Sequence, residues 1–166
     1  MKKNDLAVPG LVGVGANEKL TEARLGGMVD FGNATVRMLV GQTRAAGSFG
    51  DAKQTVWGMG GTFNVSANGK ITGQRYRAGD ISGSSLGVPG SRFTSGADTG
   101  ATLYSLGYEH HLSKHTLLRA TIAHLKNDAK TTTHGGGGYD FGKTASGFRG
   151  DDLTLSGVQL GMRYNF

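Results

Sequence analysis

The chain has 166 residues, a length that suits one domain spanning residues 1–166 and leaves no room for a second of ordinary size. Hydrophobic residues supply only 37% and charged residues only 18%, while Gly fills 30 positions against 2 Pro, which excludes both a rich soluble core and a charge-driven disordered chain. Cysteine is absent, removing disulfides, thiolate catalysis and Cys-ligated metals; the net charge of +6 is spread along the chain, without the basic face and aromatic-basic motifs that nucleic acid requires.

No stretch approaches the roughly eighteen consecutive apolar residues of a transmembrane helix, so any spanning structure must be built of strands. A membrane β-barrel gives such a diluted apolar content, because alternate residues serve lipid and a watery interior. The opening Met1-Lys2-Lys3-Asn4-Asp5-Leu6 is basic but lacks the apolar stretch of an export signal, so no secretory signal is expected within the sequence given.

Taken in chain order, Leu11–Ala16 is a short, glycine-containing candidate strand. Leu20–Phe31 and Ala34–Arg44 then alternate in polarity around Gly32-Asn33, which predicts a hairpin. Gln54–Ser66 and Lys70–Arg77 predict a second around Ala67-Asn68-Gly69, where Asn and Gly are expected to take positive φ. Strict alternation points Arg75 to the apolar side; a register shift or a place near the rim is expected to relieve it. In the third hairpin Tyr104, Leu106, Tyr108 and Leu112 share a face opposite Ser105, Gly107, Glu109 and His111, and Leu118, Ala120 and Ile122 oppose Arg119, Thr121 and Ala123. The last strand carries Val158, Leu160, Met162, Tyr164 and Phe166 on one side and Gly157, Gln159, Gly161, Arg163 and Asn165 on the other. Tight links near 32–33, 67–69 and 113–115 alternate with long ones expected at about 45–52, 80–98 and 128–152, as the two rims of an outer-membrane barrel require.

Aromatic placement agrees with a membrane. Phe31, Phe63 and Phe166 fall at the short-turn rim of the apolar face, Trp57 and Tyr104 toward the loop rim, and Tyr108 and Tyr164 complete the interface set. The opposite face is expected to line a pore with Arg24, Arg37, Arg119 and Arg163, accompanied by Glu22, Asp30 and Glu109. Permanently charged guanidiniums there favour anions, unless they pair with the acids and only fill the interior. Gly26, Gly41, Gly58, Gly60, Gly107 and Gly161 fall on the same inner face, where they thin the wall or relieve curvature.

Other motifs carry less. His110, His111, His115, His124 and His134 lack metal-ligand spacing, and the run His134-Gly135-Gly136-Gly137-Gly138 lacks the helix and Lys of a phosphate loop. Asn33-Ala34-Thr35 and Asn64-Val65-Ser66 match a glycosylation pattern, but turn formation explains them better. No nucleophile-elbow context accompanies any Ser, so no enzyme, cofactor or metal is expected.

The segment Tyr104–Thr116, with Leu118 and His124-Leu125-Lys126-Asn127-Asp128, resembles the penultimate hairpin of Gram-negative general porins of the neisserial and burkholderial type. Gly157–Phe166 is similar to their final strand with its terminal Phe. The resemblance implies an all-β antiparallel transmembrane barrel of which seven or eight strands are here, the C-terminal half of about sixteen. It also implies residence in outer-membrane lipid, recognition of Phe166 by the barrel-assembly machinery, a homotrimer when full length, and passive diffusion of small hydrophilic solutes and ions. The family's inward constriction loop has no counterpart in this sequence. Two alternatives share these strands: a self-contained eight-stranded outer-membrane barrel with a structural or adhesion role, and a soluble lipocalin-like ligand-binding barrel with the apolar face inside.

Overall fold

Runs that alternate polar and apolar residues can present two different faces only as extended chain, and extended chain must pair its backbone groups with neighbours. The structure, a computed structural model, describes residues 19–47, 50–83, 95–130, 139 and 152–166. It contains β1 (Lys19–Asp30), β2 (Ala34–Gly47), β3 (Gly50–Asn64), β4 (Gly69–Ala78), the two-residue β5 (Ser82–Gly83), β6 (Ala101–His111), β7 (Thr116–Asn127) and β8 (Thr154–Tyr164). All pair antiparallel in one sheet of order β1-β2-β3-β4-β6-β7-β8, with β5 beside β3. The fold is therefore all-β, and the candidate strand Leu11–Ala16 lies outside the described residues.

Among the described residues the sheet is not closed. Strands β1 and β8 are its edges, and because the seven long strands alternate in direction, both edges run the same way. Both faces of β1 are exposed along its whole length, as expected of a wall with nothing packed against either side.

Three short turns define one rim. In the first, Gly32 adopts φ +86° and its N–H donates to Asp30 Oδ1 at 2.7 Å, while Phe31 N–H donates to the Ala34 carbonyl at 2.7 Å. The second departs from expectation, since neither Asn68 nor Gly69 takes positive φ. Val65 and Ser66 instead close onto the Gly69 carbonyl, and a methyl at Gly69 would sit 2.7 Å from the Tyr108 hydroxyl and 2.9 Å from Ser66 Oγ, so those side-chain ends would have to move aside. The third turn, 112–115, is held by Ser113 Oγ, which accepts from His115 and Thr116 N–H at 3.1 and 3.0 Å.

The opposite rim carries the connections β4–β6 and β7–β8. A long loop over 45–52 does not form: β2 and β3 pair down to Gly47 opposite Gly50. Gly, Asp and Lys there have poor strand propensity, but backbone pairing continues and an Arg44–Asp51 ion pair clasps the two ends.

Candidate functional site

Residues directly opposite in a ladder point to the same side, so the register carries one face assignment across all seven long strands. One face holds Leu25, Val40, Trp57, Leu106, Ile122 and Leu160, and on β8 its side chains Val158, Leu160 and Met162 are 74%, 77% and 70% exposed. The other face is concave, enclosing a trough of about 570 Å³ whose walls include Arg37, Gly60, Gln74, Ser105 and Arg119. Apolar residues thus occupy the outside of the curve, the reverse of a lipocalin interior.

All seven charged residues expected on the inner face lie there: Arg24, Arg37, Arg119, Arg163, Glu22, Asp30 and Glu109. They do not form one cluster. Arg24 is spent locally, its Nε donating to Glu22 Oε1 at 2.7 Å. Asp30 caps the first turn, as described above. Glu109 lies between two cations in a single row of the sheet that reads Asn64, Lys70, Glu109, Arg119, Gly161. Its Oε2 is 2.9 Å from Lys70 Nζ and its Oε1 is 3.1 Å from the Arg119 guanidinium. Among the described residues Arg37 meets only the Met28 sulfur, at 3.4 Å, and Arg163 makes no ion pair, acting on Glu109 only through space.

Lys70 was missing from the sequence-derived set because it begins a strand beside a turn. The alternation of Lys70, Thr72, Gln74 and Tyr76 is the signal that finds it. With it, the inner strand positions carry five cations (Arg24, Arg37, Lys70, Arg119, Arg163) against three acids (Glu22, Asp30, Glu109). The face is not uniformly polar: Leu103, Leu125 and Leu155 form one inner row near the loop rim.

The inner glycines have a local reason. Arg24 folds its stem over Gly41, where a methyl would come within 3.1 Å of Cγ; Gln74 Cβ stands equally close to Gly60. Tyr76 lies flat on Gly58, and a Cβ at 58 would overlap its ring. Long side chains therefore lie along the wall instead of crossing the lumen.

At the loop rim the inner face is covered. Ala45, Ala52, Ala78 and Ala101 are buried there together with Ile81 and Thr99. Ile81 N–H donates to Thr99 Oγ1 at 2.8 Å, and Asp80 Oδ1 accepts from Thr99 and Gly100 N–H at 3.0 and 3.2 Å. Tyr139 spans this mouth. Its N–H donates to Asn127 Oδ1 of β7 at 2.8 Å, and its hydroxyl donates to Gln54 Oε1 of β3 at 2.7 Å. From Asn127 the sheet row runs through Ala101 and Ala78 to Val56, two residues along β3 from Gln54, and the alanines are small enough to be crossed. Neither Gln54 nor Tyr139 was marked in the sequence, because a contact 85 residues apart leaves no local pattern.

The expected aromatics all fall on the outward side. Phe31, Phe63 and Phe166 lie at the short-turn rim, where Phe166 meets Tyr164 edge-on at 5.2 Å. The Tyr108 hydroxyl and His110 Nδ1 are hydrogen-bonded at 3.1 Å. Trp57 and Tyr104 flank Arg75, whose guanidinium carbon is 5.2 Å and 5.4 Å from their ring centroids. No register shift occurs at Arg75; it stays outward opposite Met59 and Tyr104, beside the aromatics of the loop rim. At midplane such an arginine costs about 2–4 kcal/mol, and nearness to the interface lowers that cost. The histidines remain apart, with His115 bonded to the Asn165 carbonyl and His124 to Ser156; His134 and the Gly135–Gly138 run lie outside the described residues. No group of three metal-ligating side chains occurs among the described residues.

An antiparallel meander with an apolar convex face, aromatic rims and a charged concave face defines the wall of an outer-membrane β-barrel. The model of the Gram-negative porin family matches residues 2–130, and the chain belongs to that family and to the outer membrane. Among solved structures it is similar in fold to "Outer-membrane expressed OmpT of Vibrio cholerae", with TM-score 0.60 and 14% identity over 89% of this chain. The chain spans 41% of the length of that one. No curated protein sequence matches it.

Proposed function

We propose that the chain forms part of the wall of a water-filled channel through which small hydrophilic solutes and ions diffuse passively, with a modest preference for anions. The observation that carries this reading is the excess of cations on the concave face, five against three, with Arg37 and Arg163 outside every ion pair among the described residues and Arg163 sharing only the field of Glu109. Unneutralised guanidiniums in a lumen raise local anion concentration without binding anions tightly enough to hold them. The concave trough is walled by Gly, Ser, Thr and Gln around Arg37 and Arg119, with Met28, Leu39 and Tyr76 among them, a mixed lining that water and small solutes can wet.

The share of the similar barrel that this chain spans supports a place within a larger closed wall. Completion as a homotrimer, and recognition of the exposed terminal Phe166 by the barrel-assembly machinery, belong to the same proposal. The test is electrical. The complete protein in a planar bilayer under a potassium chloride gradient should give a reversal potential of anion-selective sign. Clear cation selectivity, or a sealed bilayer, overturns the reading.

A further inference from the structure

The outward face holds a second charge pattern that diffusion does not use. From Gly73 to the short-turn rim on β4, and over the matching stretch of every other long strand, its strand positions carry no charge. Toward the loop rim they carry Lys19, Arg44, Lys53, Arg75, Arg77 and Lys126, against Asp51 alone. Three of the six cations are compensated within the protein: Arg44 by Asp51, Arg77 by Asp128 at 2.5 Å, and Lys126 by Asp152 at 4.0 Å. Arg75 has neither an acid nor a hydrogen-bond acceptor among the described residues; it has only the two ring faces of Trp57 and Tyr104.

That arrangement is incomplete as it stands. Aromatic faces satisfy the charge of a guanidinium but none of its five N–H donors. In a lipid-facing position, unsatisfied donors need an acceptor supplied by the bilayer, and the acceptor whose geometry fits a planar fork is a phosphate. The rings fix the guanidinium in place, so little further ordering is needed on binding. We infer that Arg75, held between Trp57 and Tyr104, is a binding site for the phosphate of an anionic lipid headgroup in the loop-side leaflet. This rests on the assignment of the apolar face to lipid, and not on channel selectivity.

The experiment places the full chain, folded in a maltoside detergent that carries no phosphate, with added bis-phosphorylated lipid A or with the same lipid after phosphatase treatment. Retained lipid is counted by native mass spectrometry, and heat-modifiability on gels reports the fold. The phosphorylated lipid should be retained by the parent chain and should raise its melting temperature. Arg75→Gln should weaken that retention about tenfold, the loss of one charge-assisted contact, while remaining heat-modifiable. Arg75→Lys should recover only part of it, because an ammonium lacks the planar fork. The phosphatase-treated lipid should bind parent and Arg75→Gln alike. Equal retention of phosphorylated lipid by parent and Arg75→Gln overturns the proposal, as does dissociation of an oligomer by Arg75→Gln, which assigns this patch to a neighbouring subunit. If lipid labelling places the Leu160 face in water, the side assignment itself fails, an outcome distinct from a bound lipid that ignores Arg75.

Discussion

Tyr76 of β4 lies flat across Gly58, its direct partner in β3, so that an aromatic ring faces the lumen side of the wall while occupying almost none of the lumen. Gly58→Ala forces the ring upright or shifts the strand, and overpacking of this kind costs about 1–3 kcal/mol. Urea unfolding in lipid vesicles should show that loss for Gly58→Ala. In a Tyr76→Ala background the same change should cost nearly nothing, since the two residues interact directly. Additive losses would mean the ring and the glycine are independent.

A change at Glu109 alone is expected to be read electrically. Glu109 neutralises Lys70 and Arg119 from between them, so Glu109→Gln raises the inner-face excess from two positive charges to three. The reversal potential should move further toward anions, with some loss of stability from two cations left facing each other. Arg163→Gln and Arg37→Gln, which break no ion pair among the described residues, should move it the other way with little effect on unfolding. An unchanged potential in all three variants removes these residues from the conduction path.

Much of this wall is legible in the sequence because strand alternation is a local property. The hairpins at Gly32-Asn33 and at 112–115, the separation of Arg119 from Ile122 and the outward aromatics all follow from period two alone. What is not legible depends on partners. The extension of β2 and β3 to Gly47 and Gly50 comes from continued backbone pairing, against the propensity of the residues involved. Gly69 looked like a positive-φ turn residue, yet its φ is not positive, and the Tyr108 hydroxyl beside it comes from a strand almost forty residues on. The Arg75 alternation was legible and its apparent cost was not, because the two rings beside it come from β3 and β6.

Tyr139 gives a prediction at the mouth. Its hydroxyl reaches Gln54 across the alanine row, and Gln54 Nε2 also donates to the Gly79 carbonyl at 2.9 Å. Tyr139→Phe deletes the first bond and leaves the second, so the strand should stay in place while the crossing loses one anchor. The net cost should be about 0.5–1.5 kcal/mol. Liposome swelling should then become faster for larger sugars and hardly change for small ones. Equal acceleration for all sizes would point to damage elsewhere in the wall.

Adjacent residues on β8 give the sharpest test of the two faces. Leu160 points outward, 77% exposed, while Gln159 points to the lumen opposite Thr121. Leu160→Arg places a guanidinium in hydrocarbon near the middle of the apolar run Val158–Phe166 and should cost about 2–4 kcal/mol. Gln159→Arg, one residue away, adds a charge to a wet face and should change stability by less than about 1 kcal/mol while shifting the reversal potential toward anions. Both are read by urea unfolding in vesicles. A penalty for Gln159→Arg with none for Leu160→Arg would invert the sides, and with them the placement of every arginine assigned to the lumen.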